Sequence, residues 1–268
     1  MWLYLEEAEK TKATQEKYRH DLYTLLSWLE ERTLCKRELI RWKEALVEQY
    51  APTTVNAMLA AINSFFRFMG WWELRLRPLK LQRTLFYDEQ KELTREEYIR
   101  LVRTAERIGK KRIAMVLQTI CATGIRVSEL RFITCDAVLK GRAEIHNKGK
   151  LRVIFLPKQL RKKLGNYIRI QKITAGAVFV TKTGNPMDRS NIWREMKGLC
   201  EAANVEPEKV FPHNLRHLFA RCFYRMEKDL SRLADLLGHS SINTTRIYTA
   251  ESGRDHAELI GRMGLVIT

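Results

Sequence analysis

The feature that most constrains this chain is a break. Up to about residue 70 the apolar residues recur at helical spacing, and over residues 74–92, "LRLRPLKLQRTLFYDEQKE", that recurrence stops. Pro78 cannot sit inside a helix, and the basic residues around it favour an exposed, extended path. A chain of 268 residues divided at this point reads as two domains, at 1–76 and 93–268, joined by a linker at 77–92.

The first domain is expected to be helical. Tyr18, Leu22, Leu25 and Leu29 fall on one helix face, and a second helix is expected at 36–49. A third is read from "APTTVNAMLAAINSFFRFMG" (51–70). It starts after Pro52 and carries the stripe Val55, Leu59, Ile62, Phe66 and Met69. The second domain opens on a capping box, Thr94 with Glu97. Residues 142–157 hold two β-prone runs around a Lys-Gly turn, which predicts a hairpin. "AVFV" (177–180) is a candidate third strand. Helices are expected near 190–202, 213–226 and 230–237. The fold class is therefore mainly α with a small antiparallel β-sheet in the second domain.

Charge separates the two parts. Residues 1–90 hold 14 Lys/Arg against 13 Asp/Glu, whereas residues 91–268 hold 34 against 18. With a formal net charge of +17, the expected partner is a polyanion, and the surplus lies in the second domain. No stretch is long enough to span a bilayer, so nucleic acid is a better fit than a membrane. Five cysteines without paired spacing indicate neither a zinc knuckle nor a disulfide framework. A reduced, cytoplasmic setting is expected.

Four short stretches hold chemistry. "ATGIRVSEL" (122–130) sets Arg126 just past a glycine, with Glu129 three residues on. "NKGK" (147–150) puts Lys148 at the mouth of the hairpin. "HNLRH" (213–217) places His213 and Arg216 one helical turn apart. "LLGHSSINTTRIY" (236–248) brackets a polar run with His239 and Tyr248. Each residue alone has an ordinary reading as a salt-bridge partner, a solvated turn, a helix cap or a half-buried aromatic. As a set they supply phosphoryl-transfer chemistry. Arginines bind a phosphate with paired hydrogen bonds, histidines donate or move a proton, a lysine protonates a leaving oxygen, and a tyrosine attacks phosphorus. The second domain has no closely spaced Asp/Glu cluster for Mg²⁺, so neither metal nor cofactor is expected.

In these boxes the sequence resembles the tyrosine recombinase family, the phage-integrase and Xer type of site-specific recombinase. The resemblance covers almost the whole chain. "ATGIRVSEL" is similar to the family's first arginine box, "HNLRH" to its His-x-x-Arg box, and "LLGHSSINTTRIYT" to its closing box. The resemblance implies that Tyr248 is the nucleophile of a 3′-phosphotyrosyl intermediate. It implies that Arg126 and Arg216 clamp the phosphate, that His239 hydrogen-bonds it, and that His213 assists proton transfer. It makes Lys148 the general acid and Glu129 a supporting carboxylate. "KGKLR" is about one residue shorter than the family's hairpin, so Lys150 stands as a rival to Lys148.

The resemblance further implies double-stranded DNA as partner and a homo-tetramer on two DNA sites. The tail 251–266 would form a helix docking in trans, and a partner recombinase or directionality factor can take part. Two other readings stay open: a type IB topoisomerase-like enzyme, and a non-catalytic helix-turn-helix protein with 240–248 as recognition helix.

Overall fold

The computed structural model describes residues 2–81, 89–147, 150–181, 183–239, 241–248 and 261–262. It forms two compact units, Met1–Thr84 and Leu85–Thr268. No helix among the described residues is long and apolar enough to cross a membrane.

The first unit comprises α1 (Trp2–Glu7), α2 (Lys12–Leu29), α3 (Lys36–Gln49) and α4 (Pro52–Phe68). Thr11 caps α2 by accepting from the Thr14 N–H, and Pro52 opens α4, where its missing N–H costs nothing. The apolar faces close on one core around Trp42, Leu39, Leu59, Ile62 and Phe66. The stripe predicted for α4 is buried up to Phe66. Met69 lies beyond the helix and is exposed, because left-handed Gly70 turns the chain away there.

The segment that runs from the end of the expected first domain into the expected linker is tied to this unit. Asn63 donates to Leu76 O and accepts from Leu76 N, each at 2.8 Å. Asn56, two turns earlier on α4, does the same for Leu79, at 3.0 and 2.7 Å. Two side-chain amides thus take the place of a neighbouring strand, and Leu76 is buried.

The second unit is built round α6 (Lys111–Thr123), whose side chains are buried on most of its circumference. The buried Thr119 and Thr123 hydroxyls donate to the carbonyls of Met115 and Thr119, so neither is left unpaired. Against α6 stand α5 (Arg95–Arg107), entered through the predicted Thr94–Glu97 capping box, and α8 (Lys158–Ile170), on which α7 (Cys135–Lys140) packs in turn. The helix expected near 190–202 is two, α9 (Arg189–Lys197) and α10 (Cys200–Ala203), separated at Gly198. Among the described residues, α11 (Pro212–Glu227), α12 (Leu230–Leu237) and the single turn α13 (Ile242–Thr245) follow.

The hairpin is β1 (Arg142–Asn147) antiparallel to β2 (Lys150–Phe155), with Ile145 opposite Arg152. The third strand is absent from this sheet. Residues 177–180 make only isolated bridges, Thr134 to Ala177 and Val180 to Pro186. Val178 and Phe179 are apolar because they fill the core, not because they pair in a ladder.

Candidate active site

The site is assembled where α6 and α12 end and where α11 passes both ends. Gly124 stops α6 in the left-handed region at φ +63°. A Cβ there would lie 2.5 Å from the Phe219 ring, so only glycine lets the turn sit so close to α11. The chain then runs extended through Arg126 into a 3-10 turn, Val127–Phe132.

Glu129, buried inside that turn, holds Arg126 at both ends. One carboxylate oxygen accepts the Arg126 backbone N–H at 3.0 Å and the other accepts Nη1 at 3.0 Å. Glu129 also accepts from Arg152 Nη2 at 2.5 Å. Arg152 shares the inward face of β2 with Ile154, whereas Leu151, Val153 and Phe155 face outward and are exposed. Both arginines reach the end of α12. Arg126 donates to Gly238 O at 3.2 Å and Arg152 to Leu236 O at 2.9 Å. Burial lowers the Arg152 pKa in spite of its carboxylate partner.

Arg216 on α11 is 2% exposed, an unusual place for a cation. It donates to the carbonyls of Gly124 and, at 2.6 Å, Leu237. It thus caps the C-termini of α6 and α12 together, where helix dipoles leave partial negative charge. Burial, then repulsion from Arg126, brings its pKa down to about 10.

Gly238 ends α12 at φ +62°, and the His239 N–H returns to Ala234 O at 3.0 Å. His239 Nε2 lies 3.0 Å from Arg216 Nη2, and Nδ1 lies 2.8 Å from the buried Thr245 hydroxyl. Burial and the charges of Arg216 and Arg126 depress the His239 pKa to about 4.

Tyr248 closes a 3-10 turn, Arg246–Tyr248, and packs among Ala220, Leu233 and Leu237. It is buried, close enough to Arg216 for that charge to favour its phenolate. Burial raises the Tyr248 pKa, and the attraction of Arg216 offsets only part of that. Its ring stacks on His239 with centroids 6.1 Å apart and meets His217 edge-on at 5.0 Å.

Arg126, Glu129, Arg216, His239 and Tyr248 therefore meet in space. His213 lies exposed at the start of α11, with its ring centroid 4.4 Å from that of His217. Burial of one side of its ring, then the charges of His217 and Arg216, bring its pKa to about 4. Lys148 lies outside the described residues, and its rival Lys150 is the first residue of β2. Sequence reasoning did not single out Arg152, His217 or Thr245. The parity of Arg152 with Ile154 carries the one usable signal.

Two guanidinium groups, Arg126 and Arg152, share a single buried carboxylate and a third, Arg216, is bound only by carbonyls and His239, so the pocket carries a surplus of positive charge fit for a phosphate. Among the described residues no group of three His, Cys, Asp or Glu side chains is arranged to hold a metal ion. The class defined here is a phosphate-binding site with a buried tyrosine beside its deepest arginine.

Known proteins share this architecture. Residues 91–254 match the phage integrase family, and residues 2–72 match the phage integrase N-terminal SAM-like domain. Tyrosine recombinase XerA of Pyrococcus furiosus is 31% identical, over 98% of this chain and 92% of its own length. Tyrosine recombinase XerD of Vibrio cholerae serotype O1 is 28% identical, over 93% and 88%. A XerH site-specific recombinase bound to palindromic difH substrate, a post-cleavage complex, has the same fold. Its TM-score is 0.73 at 18% identity, covering 91% of this chain and 78% of that one. So has the Tn1549 transposon integrase with transposon right end DNA, at TM-score 0.72 and 17% identity, covering 98% and 97%. The chain belongs to the phage integrase family: it is a tyrosine recombinase, an enzyme of site-specific recombination.

Proposed function

We propose that Tyr248 attacks the scissile phosphate of duplex DNA, forms a 3′-phosphotyrosyl bond and releases a 5′-hydroxyl. The observation that carries this reading is the position of Arg216, 3.0 Å from the His239 ring that stacks on Tyr248 and close enough to attract the Tyr248 phenol electrostatically. A phosphate held by Arg216 would lie beside the nucleophile. Arg126 is the second arm of the clamp, and Glu129 and Arg152 hold it in place. His239 donates to a phosphate oxygen, His213 assists proton transfer at the exposed edge of the site, and the hairpin lysine, Lys148 or Lys150, protonates the leaving 5′-oxygen. The energy of the broken phosphodiester stays in the tyrosyl ester, so the reaction needs no cofactor.

Double-stranded DNA is the proposed partner. The second unit's surplus of Lys and Arg supplies affinity with steep salt dependence, while groove contacts supply sequence choice. A homo-tetramer on two DNA sites, with the tail helix docking in trans, fits the family. The tail, 251–266, lies outside the described residues apart from Gly261 and Arg262. Dependence on a partner recombinase or a directionality factor, and action in the cytoplasm, belong to the same reading.

The helix-turn-helix alternative is disfavoured by two features. Ile242–Thr245 is one helical turn, too short to lie along a groove, and Tyr248 is buried.

Covalent trapping tests the reading. The protein is mixed with a randomised nicked duplex library, denatured in SDS, and the attached DNA is sequenced, with Tyr248→Phe in parallel. A shared sequence in a Tyr248-dependent adduct is the expected result. Tight binding without an adduct would overturn the catalytic reading, and an adduct without sequence preference would favour the topoisomerase.

A further inference from the structure

His217 touches Tyr248, and its contact with Glu92 fixes which ring nitrogen carries the hydrogen in the neutral ring. Nδ1 lies 3.2 Å from Glu92 Oε1, and Glu92 Oε2 lies 3.3 Å from Arg221 Nη2. Burial pushes the Glu92 carboxyl up, but the His217 hydrogen bond and the Arg221 charge outweigh it, and the net shift is downward. Glu92 is therefore a carboxylate, which only accepts, so Nδ1 carries the hydrogen. The other nitrogen, Nε2, is buried and has no hydrogen-bond partner among the described residues. In the neutral ring it is a lone pair kept from water, in a ring that meets the Tyr248 ring edge-on. Such an atom costs stability unless it gains a partner during function.

Carboxylate, imidazole and hydroxyl in that order form the arrangement that activates a weak nucleophile. His213 stands one ring further out. It packs on His217, and Tyr248's described ring contacts are with His217 and His239. His239 Nε2 is already engaged by Arg216.

We propose that His217, oriented by Glu92, accepts the Tyr248 proton during strand cleavage. The proposal rests on Tyr248 being the nucleophile. In cleavage the phenol O–H bond breaks and the proton passes to His217 Nε2. The phenol oxygen bonds to phosphorus, the bond from phosphorus to the 5′-oxygen breaks, and that oxygen takes a proton from the hairpin lysine. In rejoining, the 5′-hydroxyl attacks, the tyrosyl–phosphorus bond breaks, and His217 returns its proton to the phenolate. The 5′-hydroxyl proton returns to the lysine.

The test is single-turnover cleavage by the full chain of a nicked suicide duplex carrying the sequence recovered by trapping. Wild type, His217→Gln and Glu92→Gln are compared, each also with difluorotyrosine at position 248, whose more acidic phenol depends less on a base. His217→Gln is expected to slow cleavage by about 10²-fold or more with DNA affinity unchanged, and Glu92→Gln by less. Difluorotyrosine is expected to recover most of both losses. Glu92→Gln leaves the ring in place, so it keeps the test alive if His217→Gln folds poorly. Wild-type rates in both variants would overturn the proposal, and so would losses that difluorotyrosine does not relieve, which mark a packing role. A Tyr248-dependent adduct with unimpaired variants sinks this proposal alone, whereas an adduct that survives Tyr248→Phe sinks the parent reading as well.

Discussion

Arg216 Nη2 lies 3.0 Å from His239 Nε2, and this contact sets the proton of the imidazole. Guanidinium only donates, so Nε2 accepts and the ring hydrogen sits on Nδ1, facing Thr245. In this arrangement His239 has no N–H to offer a phosphate.

Binding of a phosphodiester is therefore expected to draw in protons. The His239 and His213 pKa values, both about 4, lie well under the ordinary 6.5. An incoming anion raises them, since it stabilises the cationic rings. Between about pH 5 and 6.5, DNA binding should take up protons, and the uptake should fade above about pH 7.5. Titration calorimetry in buffers of different ionisation enthalpy measures it. His239→Gln should reduce the uptake, and equal uptake in that variant would rule out His239 as its source.

The same two shifts govern stability. Both folded pKa values are depressed below 6.5, so in acid the unfolded chain binds protons that the folded chain does not. Their contribution is fully present above about pH 6.5 and is lost as pH falls through about 4. Urea midpoints at steps from pH 7.5 to 4.5 should fall across that window, and His213→Gln with His239→Gln should flatten the fall. The Glu92 and Glu97 carboxyls, held below 4.5, add a separate loss at lower pH.

Glu129 is the single buried carboxylate between Arg126 and Arg152, whose side chains are 36% and 12% exposed. Glu129→Gln strands the more buried Arg152, and loss of one partner from a buried pair costs about 3–5 kcal/mol. Arg126 keeps access to water and contributes little of that. Adding Arg152→Met should restore part of the loss, which a double-mutant cycle from urea unfolding reads directly. Independent, additive effects would show that Arg152 is not the group Glu129 neutralises.

Local rules in the sequence located most of this architecture. The α3 boundaries, the Thr94 capping box and the end of α12 at Gly238 follow from periodicity, capping and left-handed glycine. The hairpin was legible as two runs and a turn, but its inward face was not. Leu151, Val153 and Phe155 look like a core stripe and face outward, while Arg152 faces in because Glu129 waits there from another element. "AVFV" misleads for a related reason: burial and β-pairing select the same residues. Arg126, Arg216, His239 and Tyr248 could be named from their boxes. That Arg216 caps two helices, or that Glu92 reaches His217 across 125 positions, depends on contacts no local pattern encodes.

Gly124 and Gly238 provide the last prediction because their surroundings differ. Both sit in the left-handed region, where alanine costs about 1–2 kcal/mol. At Gly238 the added Cβ meets the Arg152 side chain, 2.6 Å from Cδ, and the rotatable bonds of that side chain let it give by a few tenths of an ångström while it keeps Glu129 and Leu236 O as partners. At Gly124 it meets the Phe219 ring at 2.5 and 2.7 Å and Leu237 at 3.1 Å, both packed against the end of α6. Gly124→Ala should therefore destabilise by about 1–3 kcal/mol more than Gly238→Ala, the usual cost of overpacking. It should also slow cleavage more, because moving the Gly124 carbonyl moves an acceptor of Arg216. Urea unfolding and single-turnover cleavage of the two variants check both parts, and equal losses would mean that the α6–α11 contact has room the structure does not show.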